Sequence, residues 1–301
     1  MSINGVLIID KPAGMTSHDV VNRVRRILQE RSVGHLGTLD PAATGVLPLV
    51  IGRMTRLAQF YTASEKSYEG VIRFGFATDT YDGEGQPSSA TQAVSLSLNQ
   101  LRELAAHFRG VIEQVPPPFS AKKIHGVPAY KLARKQKEVT LKPVQVEIKE
   151  FEITGTEQDR ATFRARVTSG TYMRSVAHEM GQQVGCGAHL ASLRRTALAE
   201  FAIEDAVPLD RLLEAAAHDA AEDLFVHLRK ILPQFPCVTA TEEIIVRVRS
   251  GRTVNLPELS RARLVKVFQG QKELLAIASR VAGRLFHPKI VLAAEAQAVG
   301  R

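Results

Sequence analysis

The chain has 301 residues, 45% apolar and 23% charged, which suits one large or two smaller globular domains with ample buried core. Its 39 Lys and Arg exceed 31 Asp and Glu by 8, and that net charge of +8 favours a polyanionic partner. The two cysteines, Cys186 and Cys237, form no CxxC pair, so a disulfide framework and a cysteine zinc site are not expected. No uncharged run approaches the ~18 apolar residues of a membrane span. Residues 1–5 lack a charged and then apolar leader, so the cytosol is the expected setting.

Residues 5–10 form a short apolar run that reads as a buried strand, ended by Lys11-Pro12-Ala13-Gly14. Ser17 reads as an N-cap, with Asp19 in the first turn. Val20, Val21, Val24, Ile27 and Leu28 follow at helical spacing. Residues 34–45, Gly-His-Leu-Gly-Thr-Leu-Asp-Pro-Ala-Ala-Thr-Gly, place one carboxylate, Asp40, on a glycine-rich loop. Pro41 biases Asp40 toward extended geometry, and the glycines let backbone approach a ligand closely. An isolated Asp-Pro is more often a plain turn. An apolar run, residues 46–51, comes next.

Residues 55–61 read as a short helix, and 68–76 alternate in strand fashion. Residues 78–85 are a polar, turn-rich loop without the ligand spacing of a calcium loop. Ser97 and Gln100 make a capping-box pattern before a helix carrying Leu101, Leu104 and Phe108, with Gly110 at its C′ position. Residues 116–118 are three prolines, so an extended segment follows. Between Ser120 and Lys142 stand seven basic residues, including Lys122 and Lys123, against one acid, Glu138. Residues 144–153 and 162–168 read as paired strands joined by a turn over 155–159. Residues 170–174, Gly-Thr-Tyr-Met-Arg, open a helix that residues 185–187 close. Arg194 and Arg195 are phosphate candidates. A boundary falls near 232–236, and beyond it residues 244–248, 263–268, 274–278 and 289–292 read as short strands of a small barrel or sandwich.

The 34–48 stretch resembles the signature of the TruB family of tRNA pseudouridine synthases. Asp10-Lys11-Pro12, Lys66-Ser67-Tyr68, residues 75–82, 116–123 and 170–174 resemble further pieces of that family, in its order. The resemblance implies an α+β pseudouridine-synthase fold with a mixed, mostly antiparallel sheet flanked by helices. It implies a catalytic domain over 1–232, an RNA-binding insertion over about 116–142, and a β-barrel-like PUA module over 233–301. The implied activity turns uridine 55 of the tRNA T-loop into pseudouridine, with no cofactor and no metal, in a monomer whose partner is tRNA.

Pseudouridine formation breaks the N1–C1′ bond, joins C5 to C1′ and removes the C5 proton. One carboxylate suffices, and it can act at C1′, add to C6 or take a ribose proton. By the resemblance, Asp40 is the nucleophile, Arg174 pairs with it and lowers its pKa, and Tyr68 stacks on the uracil or relays the C5 proton. Leu193 packs near the base. His35 refills the gap left by a flipped base. Lys122, Lys123, Arg194 and Arg195 meet RNA, and Lys11 is structural or positions RNA. Two alternatives are a non-catalytic tRNA-folding protein and an Asp-dependent nucleosidase, which would release free uracil.

Overall fold

A computed structural model describes residues 3–120, 122–124, 126–133, 135 and 141–293, with backbone alone at 123, 124, 128, 130 and 133. The chain opens with strand β1 (Gly5–Lys11), helix α1 (Ser17–Leu28), β2 (Val33–His35), β3 (Thr44–Ile51) and β4 (Lys66–Phe74). There follow α2 (Leu98–Ala106), β5 (Gly110–Gln114), β6 (Lys123–Ile124), β7 (Val127–Pro128) and α3 (Ala129–Ala133). Then come β8 (Val144–Glu157), β9 (Arg160–Val167), α4 (Met173–Val184), β10 (Ala188–Leu198), β11 (Phe201–Ala202) and α5 (Leu209–Ala217). The last part holds β12 (Cys237–Thr239), α6 (Glu242–Arg249), β13 (Val254–Asn255), β14 (Leu264–Gln269), β15 (Glu273–Ala282) and β16 (Leu285–Val291).

One sheet runs in the order β1-β3-β10-β4-β9-β8-β5, with β2 on β3 and β11 on β10. Its pairs are antiparallel except β10 with β3, so the sheet is mixed and mostly antiparallel, as expected. The other sheet, β12-β14-β15-β16-β13, comes from residues 237–291. Alternation explains why some strands read as unbroken apolar runs. In β1, Leu7 and Ile9 face one core while Val6 and Ile8 face another. In β3, Leu47, Leu49 and Ile51 join the first core, and Val46 and Val50 the second. The first core takes the apolar faces of α1, α2, α4 and α5. The second lies on the opposite side, where Phe268, Leu274, Ile277 and Ile290 of the second sheet pack. Strand β9 is covered on one side alone: Ala161, Phe163, Ala165 and Val167 are buried, and Arg160, Thr162 and Arg164 are exposed.

Several sequence expectations need correction. Helix α1 is capped by Thr16, which forms a capping box with Asp19; Ser17 instead turns its hydroxyl inward to Leu39. Helix α2 ends at Ala106 with His107 as its cap, and Gly110 begins β5. Residues 52–60 wind as a 3-10 helix. The 144–168 hairpin turns at Gln158 and Asp159, and Gly155 sits at a bulge inside β8. Residues 244–248 are helical. Their β-branched run suggests a strand, but two acids open the helix and two arginines close it, complementing its dipole. Strand β10 escaped notice because its His189, Ser192, Arg194 and Arg195 break the apolar pattern. Most of the basic insertion, including Arg134 and Lys137, lies outside the described residues.

Gly45 marks a tight joint between β3 and β10. It stands at φ +100°, and a Cβ there would lie 2.2 Å from the Arg195 carbonyl oxygen. That approach is what lets β10 lie parallel to β3. Gly45→Ala therefore lowers stability by about 3 kcal/mol in urea unfolding; an unchanged midpoint would refute this close approach.

Candidate active site

The loop between β2 and β3 is tied from several sides. Ser17 on α1 donates its hydroxyl to the Leu39 carbonyl (3.1 Å) and accepts from the Leu39 amide (2.8 Å). The Lys11 ammonium donates to the carbonyls of Pro12 (2.8 Å), Met15 (2.6 Å) and Pro41 (3.1 Å). The Arg195 guanidinium donates to those of Val46 (2.7 Å), Thr38 (3.2 Å) and Gly37 (2.9 Å). Lys11 and Arg195 are both 0% exposed. This corrects the expectation that Arg195 meets RNA, and of the two roles expected for Lys11 it leaves the structural one. Enclosed and spent on carbonyls, these cations brace the loop and cannot reach a phosphate. Burial lowers the Lys11 pKa to about 8, against the upward pull of Asp40.

Asp40 projects from this braced loop toward Arg174 in the first turn of α4. Arg174 Nε stands 2.9 Å from Asp40 Oδ2, and Nη2 donates to Oδ1 at 3.2 Å. The same guanidinium donates to the carbonyls of Thr80 (3.2 Å) and Phe119 (3.0 Å) and lies 3.5 Å from Asp82 Oδ2. Its helix start is set by Gln114, which exchanges two hydrogen bonds with the Tyr172 backbone. Arg174 is buried, whereas 39% of the Asp40 side chain stays open. Burial raises the Asp40 carboxyl above the ordinary Asp range; Arg174 pulls it back down, and the nearby Asp82 adds to the rise. The pairing lowers the value as expected, but desolvation outweighs it.

A cleft of about 280 Å³ opens beside Asp40, with Lys66, Tyr68, Tyr172, Arg174 and Leu193 among its walls. Burial raises the Tyr68 phenol above its usual value, with Arg195 opposing. The phenol thus stays protonated, which suits a stacking wall better than a base. Lys66 donates to the Ser64 carbonyl (3.0 Å), and burial lowers its pKa to about 8. A larger groove of about 680 Å³ crosses β4, β8 and β9, but its Lys149 and Arg166 are already paired with Glu65 and Glu150. The smaller cleft holds the aimed carboxylate.

The structure thus gathers Asp40, Tyr68, Arg174 and Leu193 in one place. His35 ends β2 outside the cleft lining, with Nδ1 enclosed and unpartnered. Arg194 is partly exposed and pairs with Asp10 (2.8 Å). Lys122 is half-buried away from the cleft lining, and the Lys123 side chain lies outside the described residues. Sequence reasoning missed Lys66, Asp82 and the wall position of Tyr172. The acids of the 78–85 loop were the available signal for Asp82, but nothing local says that it faces Arg174. Among the described residues, no cluster of His, Cys, Asp or Glu could hold a metal ion, and no helix is long and apolar enough to cross a membrane.

Comparison with known proteins adds to this geometry. The model of the TruB family pseudouridylate synthase N-terminal domain matches residues 25–173, and that of the tRNA pseudouridylate synthase B C-terminal domain matches residues 174–234. The chain is 48% identical over 293 residues to the tRNA pseudouridine synthase B of Solibacter usitatus, covering 96% of this chain and 100% of the relative. It is 37% identical to the protein of that name from Aquifex aeolicus, covering 90% of this chain and 93% of the relative. In fold, it is similar to a chain in the crystal structure of a Cbf5-Nop10-Gar1 complex (TM-score 0.71, 24% identity, 96% of this chain and 85% of that one). A chain in an H/ACA RNP bound to a substrate RNA containing 2′-deoxyuridine is alike in fold too (TM-score 0.70, 23% identity, 97% and 86%).

The bracing role of Lys11 has a direct test. Lys11→Met strands three carbonyls, each costing about 1–3 kcal/mol when left bare. The thermal midpoint should fall by about 5–10 °C, and a midpoint within about a degree of wild type would show that the ammonium braces nothing.

Proposed function

Because the chain belongs to the TruB family of pseudouridylate synthases, we propose that Asp40 is the carboxylate with which it converts uridine 55 of the tRNA T-loop to pseudouridine. The chain is a tRNA pseudouridine synthase, an isomerase acting on RNA. What supports Asp40 as its working acid is one observation: both its oxygens engage a buried arginine while the side chain stays open to the cleft.

In this reading, the uridine leaves its stack and enters the cleft, at a few kcal/mol of unstacking. Tyr68 and Leu193 flank the uracil. Asp40 supports departure of N1 from C1′, the base turns within the cleft, C5 bonds to C1′ and the C5 proton leaves. N1 takes up a proton in its place, and every other atom stays in the RNA. Arg174 keeps the carboxylate ionised and aimed. Recognition rests on loop shape and splayed bases. Arg194, Lys122 and Lys123 meet the RNA backbone, and His35 meets RNA around the flipped nucleotide. Residues 1–232 form the catalytic unit, and 233–301 a PUA-like RNA-binding module. The protein works as a monomer in the cytosol.

Asp40→Asn should abolish product while tRNA affinity changes by no more than about threefold. The check is chemical mapping of pseudouridine in an unmodified tRNA transcript, with binding measured in parallel. Wild-type product from Asp40→Asn would overturn the assignment, and free uracil from the wild type would make it a nucleosidase.

Protonation removes the working carboxylate, so the single-turnover rate should fall as pH drops through the raised Asp40 value, above the ordinary Asp range. Arg174 pulls that value down. Arg174→Gln should therefore shift the acid limb to higher pH; an unmoved limb would separate Arg174 from Asp40.

A further inference from the structure

The 78–85 loop meets α4 at two points one helical turn apart. Arg174 takes the Thr80 carbonyl and faces the Asp82 carboxylate. His178, four residues on and on the same face, carries the ring of Tyr81. The centroids are 3.7 Å apart and the planes 9° from parallel. Tyr81 stands at φ +65°, a left-handed conformation that a tyrosine keeps only when its surroundings hold it. Its amide donates to the Thr78 carbonyl (3.3 Å), and its carbonyl accepts from the Leu190 amide (3.0 Å). On the helix side, the Gln182 amide nitrogen lies 2.9 Å from His178 Nε2.

The loop is tied together by its own side chains. Thr78 donates its hydroxyl to the Asp82 carbonyl (2.7 Å), and Thr80 donates its own to Asp82 Oδ1 (2.6 Å). The Glu84 amide donates to the same oxygen (3.1 Å). Asp82 directly follows Tyr81 and is flanked by backbone bonds to Leu190 of β10, the Gly83 amide donating to its carbonyl (3.0 Å), so the ring's seat on His178 adds the side-chain half of what places Asp82 and the Thr80 carbonyl. The Asp82–Arg174 contact, at 3.5 Å, is too long to hold the loop alone.

We propose that the Tyr81–His178 stack is a latch that positions the Arg174 guanidinium, and through it Asp40. Tyr81 and His178 are positioning residues and touch neither substrate nor Asp40. The latch rests on the reading of Asp40 as the working acid. It predicts a defect in the chemical step and none in RNA binding, because neither ring lines the cleft.

The test measures single-turnover pseudouridine formation, its pH profile and tRNA affinity in the full chain. Tyr81→Gly removes the ring and accepts the left-handed backbone without strain. His178→Ala removes the other ring with a good helix former and carries the test should the glycine variant fold poorly. Both should slow the chemical step about tenfold, move its acid limb to higher pH, and leave affinity within about twofold. Tyr81→Phe should run at the wild-type rate. In an Asp82→Asn background, Tyr81→Gly should cost nothing further, since the two act in one chain of contacts. Wild-type rates in both ring-removed variants overturn the latch. So does a slow Tyr81→Phe, or losses that multiply with Asp82→Asn. Asp40→Ala runs alongside: product from it would sink the reading of Asp40, whereas an inactive Asp40→Ala beside a fast Tyr81→Gly sinks the latch alone.

Discussion

An arginine, Arg174, is buried behind the cleft, and the site is arranged to answer its charge. Leaving Arg174 unpaired there would cost several kcal/mol. Two carboxylates and two carbonyls therefore converge on it, from the 34–45 loop, the 78–85 loop and the start of the 116–142 segment. Of these anions, Asp82 is buried and structural, and Asp40 stays open. The guanidinium thus holds a carboxylate in place beside empty space without using up its reactivity. Desolvation pushes the Asp40 proton affinity up and Arg174 pushes it down. The balance leaves an acid more basic than one in water.

The loop that carries Asp40 is rigid for a related reason. Lys11 and Arg195 are fully enclosed cations without a carboxylate as hydrogen-bond partner among the described residues; Lys11 donates to backbone carbonyls, and Arg195 donates to three carbonyls and also meets the Tyr68 phenol. Each satisfies backbone groups that a glycine- and proline-rich turn cannot pair with itself. Basic residues in a protein of net charge +8 invite an RNA-binding reading. Here two of them serve as internal struts, so the charge available to a polyanion is smaller than the sum implies. Geometry fixed before substrate arrives costs nothing when the reaction begins.

Local pattern carried far in this chain. The apolar runs of β1 and β3, the capping box of α2 and the Gly-Thr-Tyr-Met-Arg start of α4 are near-neighbour effects, readable from adjacent residues. The Asp40 stretch was legible because its glycines and proline restrict the backbone whatever surrounds them. Local pattern misled where distant contacts prevailed. Residues 244–248 favour a strand by themselves, and the second sheet takes one face of them as a helix. Ser17 looks like a cap, but Leu39, 22 residues on, claims its hydroxyl.

Sequence by itself determined the family and singled out Asp40 and Arg174, which the fold pairs, because those are identities of residues in a fixed order. Tertiary structure alone decided which charges face solvent, that Asp82 shares Arg174 with Asp40, and that Lys66 and Tyr172 wall the cleft. The reason is desolvation. A lysine at the surface and a lysine at zero exposure are the same letter, and what separates them is the chain packed around them.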